Sequence, residues 1–315
     1  MLRRIGIGVA LLFAAIAAAN TGHSNERYPS QPVRIIVPFG PGSLSDIMAR
    51  IVADGLSAKW KQQVIVENRP GVAGSAAAAK VAPDGYTLMI TSNGHTVIGL
   101  TNKNLPFDPV KDFTGITRIS SLPMSLIVNL DVPAENLKEL VALAKASPGK
   151  LNFTSPGLAS TAYIAAALFR QHAHINVQHI PYKSAPESLT AILRGDAQMY
   201  FAAVNLALEQ VQGKKVRVIA MATEKRVADM PNVPTFREAG LEFVYDSWFG
   251  LMAPAGVKPE ILQQLNRDTI AVLQSPETQA RMAKQSAMIV FDEPGAFDKI
   301  IREETDKMAS IFKTQ

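Results

Sequence analysis

Short β-branched runs that end in Gly/Ser loops and pass straight into helices recur along almost the whole chain. This rhythm limits the fold more than any other feature. Val33 to Phe39 reads as a strand, Gly40-Pro41-Gly42-Ser43-Leu44-Ser45 as a loop, and Asp46 to Trp60 as a helix with Ile47, Ile51 and Leu56 on one side. Val64 to Glu67 is a second strand, followed by the Gly71 to Gly74 turn and an alanine-rich helix to Val81. Strands at Thr87–Thr91, Gly115–Ile119 and Leu126–Asn129 follow. A second round places helices at Leu137–Ala146, Thr161–Gln171 and Glu187–Arg194 between strands at Leu151–Ser155, Val177–Ile180, Met199–Ala202 and Val216–Ala222. The Trp248–Ala253 segment and helices at Pro259–Gln274, Pro276–Lys284 and Ala296–Phe312 close the chain. Such alternation predicts an α/β fold with parallel-rich sheets and right-handed crossovers, and there is no internal repeat of solenoid period. A chain of 315 residues, 47% hydrophobic, suits two domains, each with its own core. The absence of cysteine removes disulfides, thiolate zinc sites, iron-sulfur clusters and cysteine nucleophiles together.

The first nineteen residues place Arg3 and Arg4 before an apolar run and close on Ala17-Ala18-Ala19, the pattern of a cleaved secretory signal peptide. The run is shorter than the roughly 20 residues that span hydrocarbon, which disfavours the alternative of a retained anchor. The expectation is an exported, soluble protein in the periplasm. The formal charge of +5 falls to +3 once the leader arginines are discounted, too mild to argue for nucleic acid.

Three loops stand where strands hand over to helices: Gly42-Ser43-Leu44-Ser45-Asp46, Ser92-Asn93-Gly94-His95, and Ser155-Pro156-Gly157-Leu158-Ala159-Ser160-Thr161. A helix N-terminus offers unpaired NH groups and the positive end of its dipole, so each loop can hold an anion. In open α/β sheets, ligands sit beyond the carboxyl ends of the strands. For one loop alone, simple capping by Ser45, Asp46, Ser160 or Thr161 is a sufficient explanation. Two such loops in separate domains, flanking one cleft, point to binding.

Other candidates for chemistry are sparse. His172, His174 and His179 lack a carboxylate pair for a metal site and read as surface histidines. Gly40-Pro41-Gly42 has neither the third glycine of a dinucleotide fingerprint nor the Gly-Lys-Ser/Thr of a phosphate loop. No metal or cofactor is expected. Asp46, at a helix start, reads as a capping carboxylate rather than a general base. Lys183 either adds positive potential at the cleft or is a solvated lysine after a strand. Trp248 falls where the chain is expected to recross between domains.

Read together, these residues resemble a known family. Pro38-Phe39-Gly40-Pro41-Gly42-Ser43-Leu44-Ser45-Asp46 is similar to the PFxxGGxxD segment of the tripartite tricarboxylate transporter substrate-binding proteins, the Bug receptors. Glu67-Asn68-Arg69-Pro70-Gly71, Ala82-Pro83-Asp84-Gly85-Tyr86-Thr87-Leu88, Leu105-Pro106-Phe107-Asp108-Pro109-Val110-Lys111-Asp112-Phe113, Pro181-Tyr182-Lys183, Val233-Pro234-Thr235 and Trp248 to Gly256 match in the family's order. The resemblance implies a two-domain periplasmic-binding-protein fold of type II, the Venus flytrap, with ligand in the interdomain cleft. It divides the chain into 26–124 plus 247–315 as domain 1 and 125–246 as domain 2. It implies a monomer that captures a small carboxylate and delivers it to a two-subunit integral membrane permease, with no nucleic-acid partner. Carried over by position, Phe39, Ser43, Ser45 and Asp46 form one wall, Ser92, Asn93 and His95 a second, and Ser155, Ala159, Ser160 and Thr161 the facing loop, with Ser184 nearby. None of the three loops contains arginine or lysine, as suits a family that holds carboxylates by backbone NH groups, hydroxyls and waters. Ser43, Ala159, Tyr163, Ser184 and Ala191 depart from the family's usual residues, and these positions bear on which acid is bound.

Two readings of different class follow: a receptor that performs no chemistry, and an exported enzyme for small acids on the same scaffold using Asp46 or His95. The lack of a GxSxG elbow, of cysteine and of a metal cluster favours the receptor. A ligand sensor for a signalling partner would use the same closure.

Overall fold

The computed structural model describes residues 28–312 apart from Lys103, Ala159 and Asp246, so the expected leader lies outside the described residues. The first sheet runs in the order β2 (Val64–Asn68), β1 (Val33–Val37), β3 (Thr87–Ser92), β10 (Ser247–Pro254), β4 (Phe113–Leu122). The second runs β7 (Gln178–Pro181), β6 (Asn152–Ser155), β8 (Met199–Ala203), β5 (Met124–Asn129), β9 (Val216–Met221). Helices α1 (Leu44–Trp60), α2 (Val72–Ala79), α3 (Gly94–Thr101), α8 (Pro259–Leu273), α9 (Pro276–Ala283) and α10 (Ala296–Phe312) accompany the first sheet. Helices α4 (Leu137–Ala146), α5 (Thr161–Ala173), α6 (Ala185–Arg194) and α7 (Val204–Gln212) accompany the second. Among the described residues, no helix is long and apolar enough to cross a membrane.

The sheets are mixed rather than wholly parallel. Strands β1, β2 and β3 are parallel, as are β6, β7 and β8, but β10 runs against β3 and β4, and β5 runs against β8 and β9. The reason lies in how the chain passes between the sheets. It leaves the first at Leu122 and enters the second at Met124, with Pro123 alone between, and it returns from Met221 to Ser247. Leu122 ends β4 opposite Ser247, the first residue of β10, and Met124 opens β5 opposite Ala203, the last of β8. Both crossings therefore join carboxyl edge to carboxyl edge. A strand that arrives from the facing edge enters its new sheet against the direction of its neighbours. The same geometry turns the loops after β1 and β3 toward the loops after β6, β7 and β8.

Each half has a dense core. In the second, Phe169, Phe201, Phe236 and Phe243 form an aromatic cluster, with Phe201 and Phe236 stacked at 5.9 Å and Phe236 and Phe243 edge-on at 4.8 Å. In the first, Phe297 of α10 meets Trp248 edge-on at 4.9 Å and lies flat over Gly115 and Gly250. Helix α7 escaped the sequence reading. It follows β8 without a gap and its start has no side-chain cap, so the usual Ser/Asp signal is missing, although Val204, Ala207, Leu208 and Val211 keep helical spacing.

A Cβ on Gly250 would sit 2.2 Å from Phe297 Cζ inside this packed layer. Gly250→Ala should therefore destabilise the protein by about 1 to 3 kcal/mol through overpacking, read as a lowered urea midpoint. An unchanged midpoint would show that α10 yields freely at this point.

Candidate functional site

The first loop is organised around one inward-turned carboxylate. Ser43 caps α1, its Oγ accepting from Asp46 N at 3.3 Å. Asp46, 3% exposed, returns the bond to the loop by accepting from Gly42 N at 2.9 Å, and takes further bonds from Arg50 Nε at 3.2 Å and Asn68 Nδ2 at 3.0 Å. Asn68 Nδ2 also reaches Phe39 O, tying the end of β2 to the same loop. Burial works to raise the Asp46 pKa, but the hydrogen bonds from Arg50, Gly42 and Asn68 outweigh it and hold the carboxyl below its ordinary range. An acceptor so fully engaged is a brace for the loop and has no proton-transfer role left. Phe39 is half-buried at its mouth.

The facing loop repeats the arrangement. Ser160 caps α5, accepting from Tyr163 N at 3.2 Å while its own hydroxyl donates to Gly157 O at 2.7 Å. Ser155 is fully buried, with Oγ 2.8 Å from His179 Nε2 and bonded to Gly157. Ala159 lies outside the described residues. Ser184 caps α6, accepting from Glu187 N at 3.3 Å.

Residues Ser92, Asn93 and His95 divide sharply. Asn93 is completely buried: Oδ1 accepts from Trp248 N at 2.8 Å and Nδ2 donates to Glu304 Oε1 at 2.9 Å. Trp248 Nε1 donates to Glu304 Oε2 at 2.8 Å, closing a ring between the end of β3, the start of β10 and α10. His95 is packed edge-on to Phe113 at 5.0 Å and donates from Nε2 to Pro109 O at 2.7 Å, its Nδ1 having no partner.

The serine and threonine hydroxyls thus separate by a residue or two. Ser43 and Ser160 are spent as caps. Ser45 in the second position of α1, Thr161 in the first position of α5 and Ser92 at the end of β3 have no hydrogen-bond partner among the described residues. Cap and free donor coexist in each loop. Sequence reasoning missed Asn68, Arg50, Glu304 and His179. The first two lie one strand or one turn from Asp46, and only the fold brings Glu304 to Asn93. His179 is also no surface histidine: it is half-buried, stacked on Phe153 at 4.9 Å and against Tyr163 at 4.8 Å. No local signal marked it, because Phe153 and Tyr163 reach it from β6 and α5. Among the described residues no cluster of three or more His, Asp or Glu can hold a metal. A separate cavity of about 760 Å³ sits at the crossings, lined by Leu122, Pro123, Val204, Ala222, Val227 and Met288 among others, and none of the expected ligand residues borders it.

Two five-stranded α/β halves joined by paired crossings at their carboxyl edges have the architecture of a two-lobed solute-binding protein. Residues 48–315 match the tripartite tricarboxylate transporter family receptor, and the chain belongs to that family. It is similar to Protein BugT of Bordetella pertussis, 33% identical over 313 residues that cover 98% of this chain and 95% of that protein. Among solved structures it is similar to R. palustris Rpa4515 with adipate, at 27% identity and TM-score 0.78 over 91% of this chain and 98% of that one. It is also similar to MatC from Rhodopseudomonas palustris with bound malate, at 26% identity and TM-score 0.76 over 90% and 100%. The chain is accordingly a solute-binding receptor and not an enzyme.

Burial pushes the His95 pKa down to about 4, against the raising effect of its bond to Pro109. The unfolded chain binds a proton at its ordinary 6.5 while the folded one stays neutral, so stability is lost as pH falls from about 6.5 toward 4. The loss between pH 7 and pH 5 should be about 2 kcal/mol from His95, and the shift of His179, also to about 4, adds in the same direction. His95→Leu should flatten this part of the profile in urea titrations at the two pH values. An equal slope in wild type and variant would contradict the assignment.

Proposed function

We propose that the chain is a periplasmic receptor that captures a small carboxylate between its two halves and delivers it to a two-subunit integral membrane permease. The two bodies are 26–124 with 247–315, and 125–246, and the receptor acts as a monomer. The observation that carries this reading is the pair of free hydroxyls, Ser45 and Thr161, each on the first turn of a helix and each at a carboxyl edge turned toward the other. Two helix N-termini converging on one space favour an anion without a basic side chain. Small acids bound to similar receptors, adipate and malate, support the ligand class. Closure follows physically: a ligand held from both sides favours the closed arrangement, whereas one with equal affinity for open and closed states would shift nothing.

A thermal-shift screen of mono-, di- and tricarboxylates, amino acids, sugars and amines tests the class. A ligand at 100 times its Kd stabilises the folded state by about 2.7 kcal/mol. A response confined to sugars or amines overturns it. Ser45→Ala and Thr161→Ala should each weaken carboxylate binding by about 1 to 3 kcal/mol, as bonds to an ionised acceptor do, and leave melting nearly unchanged. Ser43→Ala and Ser160→Ala should instead cost stability, about 1 kcal/mol each, as lost caps. Calorimetric titration and melting of the four variants separate donor from cap, and the reverse pattern would refute the assignment.

Trp248, 1% exposed, opens the strand by which the chain returns to the first half, whereas Trp60 ends α1 and donates to Asp268 Oδ2 at 2.7 Å. Hinge closure is absorbed by a few residues at the crossings. Carboxylate binding should change the intrinsic fluorescence, with Trp248→Phe removing most of the change and Trp60→Phe preserving it. A tight ligand that moves neither the fluorescence nor the radius of gyration in small-angle scattering would replace the closing clamp with a rigid pocket.

A further inference from the structure

His179 sits on β7, an edge strand of the second sheet, paired with Phe153, with β6 and β8 between it and the crossing strand β5. Its ring is nearly parallel to Phe153, at 25°, and meets Tyr163 at 59°. Its Nε2 lies 2.8 Å from Ser155 Oγ. That same oxygen is 3.2 Å from Gly157 N and 3.2 Å from Gly157 O. A hydroxyl has one proton. Were Ser155 to give it to His179, its contact with the Gly157 carbonyl would hold no hydrogen between two acceptors. With Nε2 protonated, His179 and Gly157 N both donate to Ser155 Oγ, and the Ser155 hydroxyl shares the Gly157 carbonyl with the two donors of Ser160. Burial first, and the charge of Arg170 second, keep the imidazole neutral above about pH 4, which leaves a single tautomer with Nδ1 unprotonated.

The chain of bonds continues past Gly157. This glycine holds φ +106, a conformation that side chains rarely adopt, and its carbonyl accepts from both Ser160 N at 3.1 Å and Ser160 Oγ at 2.7 Å. Ser160 in turn caps α5, and Thr161 is the next residue. From the imidazole to the free Thr161 hydroxyl the path is unbroken: His179, Ser155, Gly157, Ser160, helix start.

We infer that His179 is a positioning residue for the cleft: its Nε2–H holds Ser155, and through it Gly157 and Ser160, in the arrangement that sets Thr161 and the α5 N-terminus. It acts through Ser155 and does not itself meet the ligand. The inference deepens the carboxylate-receptor reading and rests on it for the affinity part of its test.

Two variants separate the bond from the packing. His179→Phe keeps a flat ring between Phe153 and Tyr163 and removes the donor. His179→Gln keeps an NH donor and removes the ring. The first measurement needs no ligand: in full-length mature protein, amide hydrogen exchange at Gly157 and Ser160 should accelerate about tenfold in His179→Phe, the equivalent of one lost hydrogen bond. Exchange in β8 and the melting temperature should stay near wild type, and His179→Gln should restore slower loop exchange. The second measurement is calorimetric titration with adipate and with malate. For each acid that the wild type binds, His179→Phe should raise Kd about tenfold, Ser155→Ala should do the same, and the double variant should be no worse than either alone, because the two residues form one device. Loop exchange unchanged in His179→Phe overturns the inference, as does acceleration spread over the whole second half together with lost melting temperature. Additive losses in the double variant also overturn it. A wild type that binds no carboxylate while the variant's loop loosens as described would leave the positioning role standing and remove the receptor reading instead.

Discussion

Everything about the site depends on one topological constraint: the chain passes between its two sheets only from carboxyl edge to carboxyl edge. At the first crossing Pro123 alone separates Leu122 of β4 from Met124 of β5. So short a link cannot span a sheet, so the two edges have to face. The local pins agree with it. Val204 N donates to Pro123 O at 3.0 Å, Ala222 N to Met124 O at 2.8 Å, and Tyr245 N to Ala222 O at 2.8 Å, which fasten both crossings to the second sheet. Ser121 and Met288 exchange two bonds of 2.8 Å and fasten the first crossing to the other half. From this constraint follows the antiparallel insertion of β5 and β10. At the carboxyl edges the helix starts supply positive potential from backbone, and none of the three loops carries arginine or lysine.

Within the loops, the charge arrangement obeys the same economy of position. An unbraced glycine-rich loop would close over a ligand only after losing conformational freedom. Asp46 removes much of that freedom in advance by taking bonds from its own loop, its own helix and the neighbouring strand. Its buried negative charge is met by the exposed Arg50 guanidinium at 3.0 Å. The second loop reaches the same stiffness with neutral groups, Ser155, Ser160 and the uncharged His179. The two loops are thus both preorganised, one by an ion pair and one by a hydrogen-bond relay, and only the first uses charged groups.

How much of this was legible in the sequence follows the range of the interactions. Local signals were read nearly to the residue: the first strand, expected over Val33 to Phe39 and found at Val33–Val37, the first helix, expected from Asp46 and found from Leu44 behind its Ser43 cap, the Gly157 to Thr161 loop and the α/β rhythm. Their physics operates within four residues, in caps, turns and periodicity. The limits of β4, which runs from Phe113 to Leu122 and not only over Gly115–Ile119, were lost because its ends are stabilised by pairing with β10, more than a hundred residues away. The direction of β10 was hidden for the same reason. Capping and binding were not separable from sequence, since Ser43 and Ser45, or Ser160 and Thr161, differ only by their place in the first turn. His179 was undervalued because a histidine on a four-residue edge strand carries no periodic signal, and its partners arrive from β6 and α5.

Asn93 illustrates the last step, in which a residue at the cleft edge serves the crossing. It is placed by the β3–α3 turn beside Ser92, where a ligand wall is expected, yet both ends of its amide are committed, one to the backbone of Trp248 and the other to Glu304. The carboxylate of Glu304 takes bonds from the Asn93 amide and from the Trp248 indole, so a charge inside the first half is held by two donors that are 155 residues apart in sequence. One side chain and one carboxylate thus tie the end of β3 to both the backbone and the indole of Trp248, and this makes the register of Trp248 against Asn93 a well-specified one. The return crossing therefore begins from a fixed point at the end of β3, and the segment that leads to it is held as firmly on the other side: Phe236 and Phe243 belong to the aromatic core of the second half, and Tyr245 N donates to Ala222 O.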